Sequence, residues 1–276
     1  MARKLSIVII SLNEEKNIGR LLESIKKQRT SIPYEIILAD NNSKDRTREI
    51  ARRYGVKIVK GGSCAEGRNS GARHAKGDTI LFLDADTVLP NDFLEKNLNE
   101  FENKKFSTAT VIAKPLNKSK LHLQMCNLAN AWIVMMDDIY PHMYGFCIFV
   151  KKTFHSKIGG FNEKIRHLGE DLNYAKRAGK QGKVGILRSV PVLTSMRRFE
   201  KEGTIKCILR VITYTILGVI VGDEKANIFS YERDYDRKIL GARERILYFA
   251  KKEAKNLRKL LRENAGYYLS TIIKKR

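Results

Sequence analysis

Cysteine motifs, long apolar runs and a dinucleotide fingerprint are all missing from this sequence of 276 residues. The four cysteines are scattered without a Cys-x-x-Cys pair, which argues against a zinc site or a disulfide framework and favours a reducing setting. No apolar run reaches the roughly 20 residues expected of a membrane-spanning helix. No Gly-x-Gly-x-x-Gly follows the first predicted strand, so a dinucleotide dehydrogenase is poorly supported. The amino terminus lacks the features of a signal peptide, and we expect a cytoplasmic location.

Acidic residues are scarce relative to basic ones. The sequence has 53 Lys and Arg against 30 Asp and Glu, a net charge of +23. Such an excess indicates an anionic partner, whether nucleic acid, an anionic membrane surface or a phosphorylated substrate, unless it only forms a solvated basic surface. No helix-turn-helix, zinc pattern or aromatic-basic RNA motif is visible in the sequence, and we therefore expect no nucleic-acid partner.

Apolar β-branched runs alternate with amphipathic helical patterns in the first third of the chain. We predict strands over residues 5–10, 35–39, 56–59 and 80–83. Between them we predict three helices. The first spans residues 18–25 and the third spans 65–75. The second has Ser43 or Asp45 as its N-cap and runs to about residue 54. This alternation calls for a parallel sheet covered by helices, which is an α/β fold.

The pattern becomes less regular after residue 90. We predict helices over 90–103 and 118–138. A third helix begins at Glu170 and Asp171 and ends near residue 179 or 182. Further strands are predicted over 107–113, 145–150 and 183–187. In the helix over 118–138 we expect Trp132 and the methionines to pack against the rest of the protein.

Two carboxylates, Asp84 and Asp86, follow directly on the apolar strand over 80–83. Ligands of open α/β sheets bind outside the carboxyl ends of the strands, where these side chains would lie. Strand geometry would point both to the same side. Mg²⁺ is usually bound by one or two carboxylates plus substrate phosphates, so a divalent cation holding a diphosphate is a natural candidate. Asp234 and Asp236 have the same spacing but follow no apolar strand.

The last third of the chain is strongly basic. Residues 207–222 are mostly apolar and predict a buried or interfacial helix. Residues 237–262 carry one apolar helical stripe flanked by lysines and arginines, a pattern that fits either an anionic membrane surface or packing on the domain with a solvated basic face. We therefore predict one domain over residues 1–199 and a basic helical extension, membrane-associating at the cytoplasmic face, over 200–276.

Four segments, in order, resemble family 2 glycosyltransferases of the GT-A fold, and together they cover about 190 residues. The segments are Ser6–Glu15 with its strand and polar loop, Ala39–Thr47, Gly67–Ala72 followed by the Asp84-Ala-Asp86 motif, and Gly159–Glu163 followed by Gly169–Asp171. The resemblance implies a mixed, mainly parallel sheet flanked by helices. It also implies an inverting enzyme that uses a UDP- or GDP-sugar and Mg²⁺ or Mn²⁺.

The resemblance assigns the donor side of the site to the first three segments. It implies nucleotide contacts for Ser11, Asn13 and Glu14, and a nucleoside contact for Asp40. Arg68 would meet the phosphates or the nucleoside, Asp86 would bind the metal, and Asp84 would bind the ribose or support the metal. Two structural explanations that need no ligand stay open: Glu14 could be an acidic residue in the first turn of a helix, and Arg68 could form a surface ion pair.

The resemblance assigns the acceptor side of the site to the later segments. Asp171 would be the general base that takes a proton from an acceptor hydroxyl, and Glu170 would orient it, unless both are ordinary first-turn helix acids. Arg197 and Arg198 would lie near the diphosphate, or form a basic surface turn. Residues 197–200 depart from the Gln-x-x-Arg-Trp signature of processive synthases, which favours transfer of a single sugar.

The sequence therefore predicts a metal-dependent, inverting transferase that moves one sugar to a hydroxyl of a glycan or lipid-linked acceptor. A close alternative is a polyprenyl-phosphate sugar synthase, whose anionic acceptor needs no base, and the Glu170–Asp171 pair disfavours it. Two alternatives from other classes are a nucleic-acid-binding protein and a degenerate transferase domain that serves as a membrane adaptor. The intact set of Asp40, Asp84, Asp86 and Asp171 argues against the adaptor.

Overall fold

The computed structural model describes residues 4–136, 141–165 and 169–203. The predictions for residues 207–222 and 237–262, and for the last two positions of the helix predicted over 118–138, lie outside these ranges. The proposed boundary near residue 200 stays a prediction. None of the helices within the described ranges is long and apolar enough to cross a bilayer.

A mixed sheet forms the centre of the described chain. Its strands, in the spatial order β3-β2-β1-β4-β7-β6-β8-β5, are β1 Leu5–Ser11, β2 Tyr34–Asp40, β3 Lys57–Lys60, β4 Thr79–Asp84, β5 Thr87–Val88, β6 Thr108–Pro115, β7 Cys147–Lys151 and β8 Val184–Thr194. The first four strands run parallel to one another. β7 is antiparallel to both of its neighbours, β4 and β6, and β6 pairs with β8 in parallel.

Helices cover both faces of this sheet. They are α1 Ile18–Lys26, α2 Thr47–Arg53, α3 Cys64–His74, α4 Phe93–Asn103, α5 Lys120–Met136, α6 Lys152–Lys157, α7 Glu170–Gly179 and α8 Arg197–Glu202. Alternate side chains of β1 point to opposite faces: Leu5, Ile7 and Ile9 join one apolar cluster with α1 and α4, whereas Val8 joins another with α3 and α7. Burial on both faces explains why β1 and β4 are continuous apolar runs.

The close packing of α3 against the sheet depends on glycine. A Cβ atom on Gly71 would lie 2.1 Å from Cγ1 of Val8 in β1, so a side chain there would force the helix away. Ser63 begins α3 with a capping box, in which Ser63 and Glu66 each bond the other's backbone N–H. The helix is therefore fixed at its start and held against β1, which positions the residues on its inner face.

The structure confirms the predicted strands and helices of the first half and corrects the second. β5, α6 and α8 have no counterpart in the prediction, and α8 is a helix where a basic surface turn was the alternative for Arg197 and Arg198. β8 continues to Thr194 where we expected an end at residue 187. The polar Arg188-Ser189 pair suggests an end, but Glu100 accepts hydrogen bonds from the N–H groups of both residues. The pairing of β8 with β6 then resumes after a register shift, so a bulge carries the strand past this point.

Trp132 and Met135 were expected to pack against the protein, and this prediction is wrong. Both side chains are exposed on α5, by 50% and 61% respectively. The inner face of α5 is formed instead by Cys126, Ile133 and Asn130, which lie on other sides of the helix.

Candidate active site

Three parallel strands bring the predicted donor residues to one edge of the sheet. In the register of the sheet, Ser11 at the end of β1 lies beside Asp40 at the end of β2. On the other side of β1, Ile10 lies beside Asp84 at the end of β4. Because all three strands point the same way, their terminal side chains and the loops that follow share the edge where α/β proteins bind ligands.

Asp40 is buried and lies in a net of hydroxyl and amide donors. Ser11 Oγ donates to its Oδ1 at 2.8 Å, and Ser43 Oγ donates to the same atom at 2.5 Å. The backbone N–H of Ser43 donates to Oδ2 at 2.9 Å, and Arg48 Nε lies 3.7 Å from that oxygen. Ser43 is therefore committed to Asp40, and the N–H of Thr47 at the start of α2 is bound by Asp45 instead. The N-cap position of α2 is Arg46, whose side chain makes no capping bond, so the prediction of Ser43 or Asp45 as the cap is wrong, and Asp45 binds the first N–H of the helix from one residue earlier.

The loops after β1 and β2 are tied to each other by Asn13. This residue has a left-handed backbone, with φ of 55°, a region that asparagine tolerates better than most residues. Its N–H donates to Ser43 Oγ at 2.9 Å, and its side-chain oxygen accepts from the N–H of Lys44 at 2.8 Å. Glu14 follows, and its N–H donates to Thr47 Oγ1 at 2.7 Å. The two loops therefore form one surface without needing a ligand.

Arg68 is buried, with 2% of its side chain exposed. Its Nη1 donates to Glu170 Oε1 at 2.8 Å. Its Nη2 donates to Asp84 Oδ1 at 3.1 Å and to the carbonyl of Gly145 at 2.8 Å. The guanidinium also lies over the ring of Phe161, 5.3 Å from its centroid. The surface ion pair considered for Arg68 is therefore wrong, because the pair is internal; a contact with the donor stays a prediction.

Asp171 opens α7 next to this cluster. Its Oδ2 accepts from the N–H of Gly145 at 3.0 Å, and its Oδ1 accepts from the N–H of Leu172 at 2.8 Å. Burial and the neighbouring Glu170 carboxylate raise the pKa of Asp171 above its ordinary range. A carboxyl group with a raised pKa is a stronger base once ionised, which suits it to accept a proton from a hydroxyl.

Gly145 joins Arg68 to Asp171 through its backbone, and the sequence analysis assigned it no role at the site. Its carbonyl accepts from Arg68, and its N–H donates to Asp171. A Cβ atom at this position would lie 2.9 Å from Asp171 Oδ2 and 3.2 Å from Arg68 Nη2. Glycine is required here because a side chain would push apart the two groups that its peptide connects.

The predicted acceptor loop is fixed by Asn69, which follows Arg68 in α3. Asn69 Nδ2 donates to the carbonyl of Phe161 at 2.9 Å, and the N–H of Phe161 donates back to Asn69 Oδ1 at 2.8 Å. Gly159 and Gly160 both have positive φ, 76° and 67°, which glycine adopts without strain. Asn69 therefore anchors the turn before α7, and it is the second residue, after Gly145, whose role the sequence analysis missed.

Arg197 closes the site from the start of α8. Its Nε lies 3.1 Å from Asp86 Oδ2, and its two terminal nitrogens donate to the two carboxylate oxygens of Glu14. α1 begins only at Ile18, so the explanation of Glu14 as a first-turn helix acid is wrong. Arg198 is the next residue of the same helix. The structure thus joins the first loop, the Asp-x-Asp motif and the predicted diphosphate arginine.

Negative charge accumulates around the Asp-x-Asp motif. The pKa of Asp86 is raised to about 6, first by burial and then by Asp84, with Glu14 adding to the effect and Arg197 opposing it. The pKa of Asp84 is raised by burial, opposed by Arg68 and supported by Glu170. Carboxylates whose pKa is raised by neighbouring carboxylates would be stabilised in their ionised form by an added cation.

The chemistry of Asp84 and Asp86 fits a hard divalent cation. Asp84 meets Arg68 through Oδ1 and Asp86 meets Arg197 through Oδ2, so each has a second oxygen outside these ion pairs. Within the described ranges, no three or more His, Cys, Asp or Glu side chains are placed to hold a metal by themselves. Mg²⁺ commonly completes its shell with water and substrate phosphates, so two carboxylates suffice for a cation bound together with a diphosphate.

Comparison with protein families identifies the class to which this site belongs. The model of the family described as "Glycosyl transferase family 2" matches residues 6–158. The match spans more than half of the 276 residues, from β1 to the end of α6. The chain belongs to glycosyl transferase family 2.

Two curated relatives match shorter stretches. A protein of Haemophilus influenzae called "Uncharacterized glycosyltransferase" is 31% identical over 191 residues, which cover 62% of this chain and 60% of the relative. The 4,4'-diaponeurosporenoate glycosyltransferase of Staphylococcus aureus is 36% identical over 109 residues, which cover 36% of this chain and 28% of that one. The matches thus span less than two thirds of the length of either relative.

Two solved structures resemble the chain in fold. Mannosyltransferase PcManGT from Pyrobaculum calidifontis, in complex with GDP-Man and Mn²⁺, has a TM-score of 0.62 and 16% identity, and the match covers 100% of this chain and 80% of that one. S. aureus TarS 1-349 in complex with UDP-GlcNAc has a TM-score of 0.57 and 19% identity, with 82% and 70% covered. With the sheet described above, these likenesses confirm the predicted mixed α/β fold of the GT-A type.

Proposed function

We propose that this chain transfers a single sugar from a nucleoside-diphosphate sugar to an acceptor hydroxyl, with inversion at the anomeric carbon. Family membership supports sugar transfer in general. The observation that carries the specific proposal is the contact of one arginine, Arg68, with both halves of the site. It touches Asp84 of the donor motif, and through Gly145 it reaches Asp171.

The donor nucleoside would bind at the edge formed by the first two loops. Asp40 would accept from the base or the ribose, and Ser11, Asn13 and Glu14 would line the same surface. This role is supported by the hydrogen bonds that already hold Asp40 and Asn13 in place, because a preorganised surface loses little conformational entropy on binding. The matched structures named with GDP-Man and UDP-GlcNAc support a nucleotide sugar as the donor class.

Asp86 and Asp84 would hold Mg²⁺ or Mn²⁺ beside the diphosphate. A bound divalent cation supplies Lewis-acid stabilisation of the charge that develops on the leaving diphosphate. Arg197 and Arg198 lie in the first turn of α8, and Arg197 contacts Asp86, which supports a role on the same phosphates. Guanidinium groups suit this role because they bind phosphate oxygens in a bidentate manner.

Asp171 would act as the general base. The acceptor hydroxyl would lose its proton to Asp171 as its oxygen forms a bond to the anomeric carbon. The bond from that carbon to the diphosphate oxygen would break at the same time, and the nucleoside diphosphate would leave with the electron pair. Glu170 and Arg68 would position this base and set its pKa.

The experiment that tests the donor site is a calorimetric titration of the full chain with UDP and GDP, with and without Mn²⁺. We expect one nucleotide to bind in a metal-dependent manner, and Asp86→Asn to remove that dependence. Asp92→Asn is the matched control, because Asp92 is a half-exposed aspartate at the start of α4, where it pairs with Lys96. If neither nucleotide binds with the cation present, the proposed donor site is wrong.

The acceptor is addressed by a separate measurement. A hydroxyl acceptor needs Asp171, whereas a polyprenyl phosphate already carries its negative charge. We expect transfer to saccharide or lipid-linked hydroxyl acceptors to require Asp171, and retention of full activity in Asp171→Asn with a polyprenyl phosphate would favour the alternative synthase.

The basic region over 200–276 would hold the catalytic domain, residues 1–199, at the cytoplasmic face of a membrane.

A further inference from the structure

An apolar stripe lies exposed along α5. The four side chains that form it, which we call the α5 stripe, are exposed by between 50% and 72%: Leu121, Leu128, Trp132 and Met135. With Leu123, which is 41% exposed, they are all of the large apolar side chains that stand exposed in the described ranges. Soluble surfaces scatter such residues singly, so a contiguous group on one helix indicates an interaction site.

The spacing of the α5 stripe places its members on one side of the helix. They stand seven, four and three residues apart, which brings them close to one line along a helix of 3.6 residues per turn. The opposite side is already used. Asn130 exchanges two hydrogen bonds with the backbone of Ala113 in β6, at 2.8 and 3.0 Å, and Cys126 and Ile133 are buried. α5 therefore packs on the protein through one side, and the stripe forms its exposed opposite side.

The charges around the stripe fit an anionic surface. The described helix carries no carboxylate, and exposed lysines stand at and before its start, at positions 114, 118 and 120. Asp137 and Asp138 follow in the sequence, outside the described residues. A helix of 17 residues is short for crossing a bilayer. Apolar and tryptophan side chains beside lysines, on a chain with net charge +23, are typical of a helix lying in the plane of an anionic membrane.

A short path of contacts leads from α5 to the acceptor side of the site. Tyr144 donates from its hydroxyl to Asn130 Oδ1 at 3.2 Å, on the inner face of α5. The next residue is Gly145, whose N–H binds Asp171. Asp171 is thus linked to the inner face of α5 through Tyr144 and Gly145, and the stripe lies on the other side of the same helix.

We infer that the α5 stripe rests on the surface of a bilayer containing anionic lipid, and that the acceptor is an amphiphile presented from that bilayer. The stripe enters the boundary between head groups and acyl chains while the lysines contact the lipid phosphates. The second part of this inference rests on the proposed function, because it assigns a substrate class to the same site. The first part, the lipid contact, stands on α5 alone.

Trp132 makes the contact directly measurable, because it is the single tryptophan of the chain. The full chain is mixed with vesicles of phosphatidylcholine alone or with phosphatidylglycerol, and tryptophan emission is recorded. We expect a blue shift, protection from iodide, and quenching by brominated acyl chains only with the anionic vesicles. Binding of the protein to vesicles with Trp132 emission unchanged would overturn the inference, since the contact would then be made elsewhere in the chain.

Two other occupants of the stripe give different results. If a second copy covers it, emission shifts with protein concentration in the absence of vesicles. If another part of this chain covers it, Trp132 is already protected from iodide in the free protein. Either result would overturn the proposed lipid contact.

Neutral substitutions separate the stripe from the general attraction of basic residues. Leu128→Gln or Leu121→Gln should weaken partitioning into anionic vesicles by about tenfold, because an apolar side chain no longer enters the lipid. Asn127→Gln is the matched control: it is exposed on the same helix but about 100° round from Leu128, and it should change partitioning less than about twofold. Equal partitioning of the leucine variants and the control would contradict the inference.

Activity assays then keep the two proposals apart. With a water-soluble acceptor analogue, the Leu128→Gln variant should retain the kcat of the unaltered chain; with acceptor in vesicles, its activity should fall with its partitioning. A chain that shows the Trp132 response but transfers no sugar would leave the lipid contact standing and refute the proposed function. A chain that transfers sugar but shows no Trp132 response would do the reverse.

Discussion

Two groups of acidic residues in this protein are held in opposite ways. At the donor edge, formed by the loops after β1 and β2, Asp40 and Asp45 are bound by hydroxyl and amide donors from residues close by in space. The second group, which we call the junction, surrounds Arg68 and Gly145. There the buried guanidinium of Arg68 holds Asp84 and Glu170, and the N–H of Gly145 binds Asp171.

The pKa values of Asp45 at the donor edge and Asp171 at the junction are shifted in opposite directions. Burial would raise the pKa of Asp45, but hydrogen bonds from the hydroxyl of Thr47 and from backbone N–H groups lower it overall. For Asp171, burial and the Glu170 carboxylate together raise the pKa. An aspartate at the donor edge, Asp45, is therefore stabilised in its ionised form, whereas Asp171 at the junction is stabilised in its protonated form. The proposed roles, recognition of the donor by fixed acceptors and removal of a proton by a base, would require these two different environments.

The largest effect should come from removing the base at the junction. Asp171→Asn should lower kcat by about 10²–10⁴-fold with a hydroxyl acceptor, the usual contribution of a general base. The affinity for the nucleotide should stay unchanged, because the donor edge is intact. Steady-state kinetics and nucleotide titration measure the two effects, with Asp92→Asn as control. A variant that loses nucleotide binding as well would show that the two regions are not separable.

Removing the buried guanidinium should cost stability. Arg68→Met leaves Glu170 and Asp84 without their partner, and breaking a buried ion pair costs about 3–5 kcal/mol. Arg73→Met in the same helix is the control: its side chain is 65% exposed and lies 3.8 Å from Glu163, so the cost should be below about 1 kcal/mol. Urea unfolding measures both.

A second substitution sharpens this result. Adding Glu170→Met to Arg68→Met removes one of the two unpaired carboxylates and should restore part of the lost free energy of unfolding. Equal costs for Arg68→Met and Arg73→Met would contradict the description of Arg68 as the centre of the junction.

The dependence of activity on pH should report the raised pKa of Asp171. The base works only when ionised, so kcat should fall about tenfold per pH unit below that pKa, and the acid limb should lie well above the ordinary aspartate value of about 3.9. Glu170→Gln removes the carboxylate that helps to raise the pKa, so the limb should move to lower pH. Glu163→Gln, on the exposed acceptor loop, should leave the profile in place. An acid limb that does not move in Glu170→Gln would exclude an effect of the Glu170 carboxylate on the pKa of Asp171.

The smallest effect should come from the donor edge, where several bonds share the task. Ser43→Ala removes one donor to Asp40 and the acceptor of the Asn13 N–H. We expect a loss of about 1–2 kcal/mol in nucleotide binding or in stability, the usual cost of such bonds, with the pH limb unchanged. Ser31→Ala, an exposed loop residue, is the control for calorimetry and urea unfolding. A moved pH limb would show that the donor edge controls the base.

The donor edge could be predicted from the sequence because its structure is local. Apolar runs ending in Ser11 and Asp40 predict parallel strands with a common edge, and the structure has these residues at neighbouring strand ends. The junction could not be predicted in the same way. Arg68 and Glu170 are 102 residues apart, and no periodic pattern records which distant carboxylate meets a buried arginine.

The errors elsewhere have related causes. α5 has apolar residues on several sides, so its composition does not show which side, that of Ile133 or that of Trp132, packs on β6. The role of Gly145 depends on a backbone contact, and a glycine before a predicted strand is compatible with an ordinary turn. In both cases the deciding information is the position of another part of the chain.

The place of β7 in the sheet has a consequence for the nascent protein. β4 pairs with β1 on one side and with β7, residues Cys147–Lys151, on the other. While the ribosome is still making the chain between Asp84 and Cys147, β4 has one edge without its strand partner. An unpaired apolar strand edge invites pairing with another chain. Synthesis that stalls in this interval would therefore release fragments prone to aggregate, whereas fragments that include β7 can close the central part of the sheet.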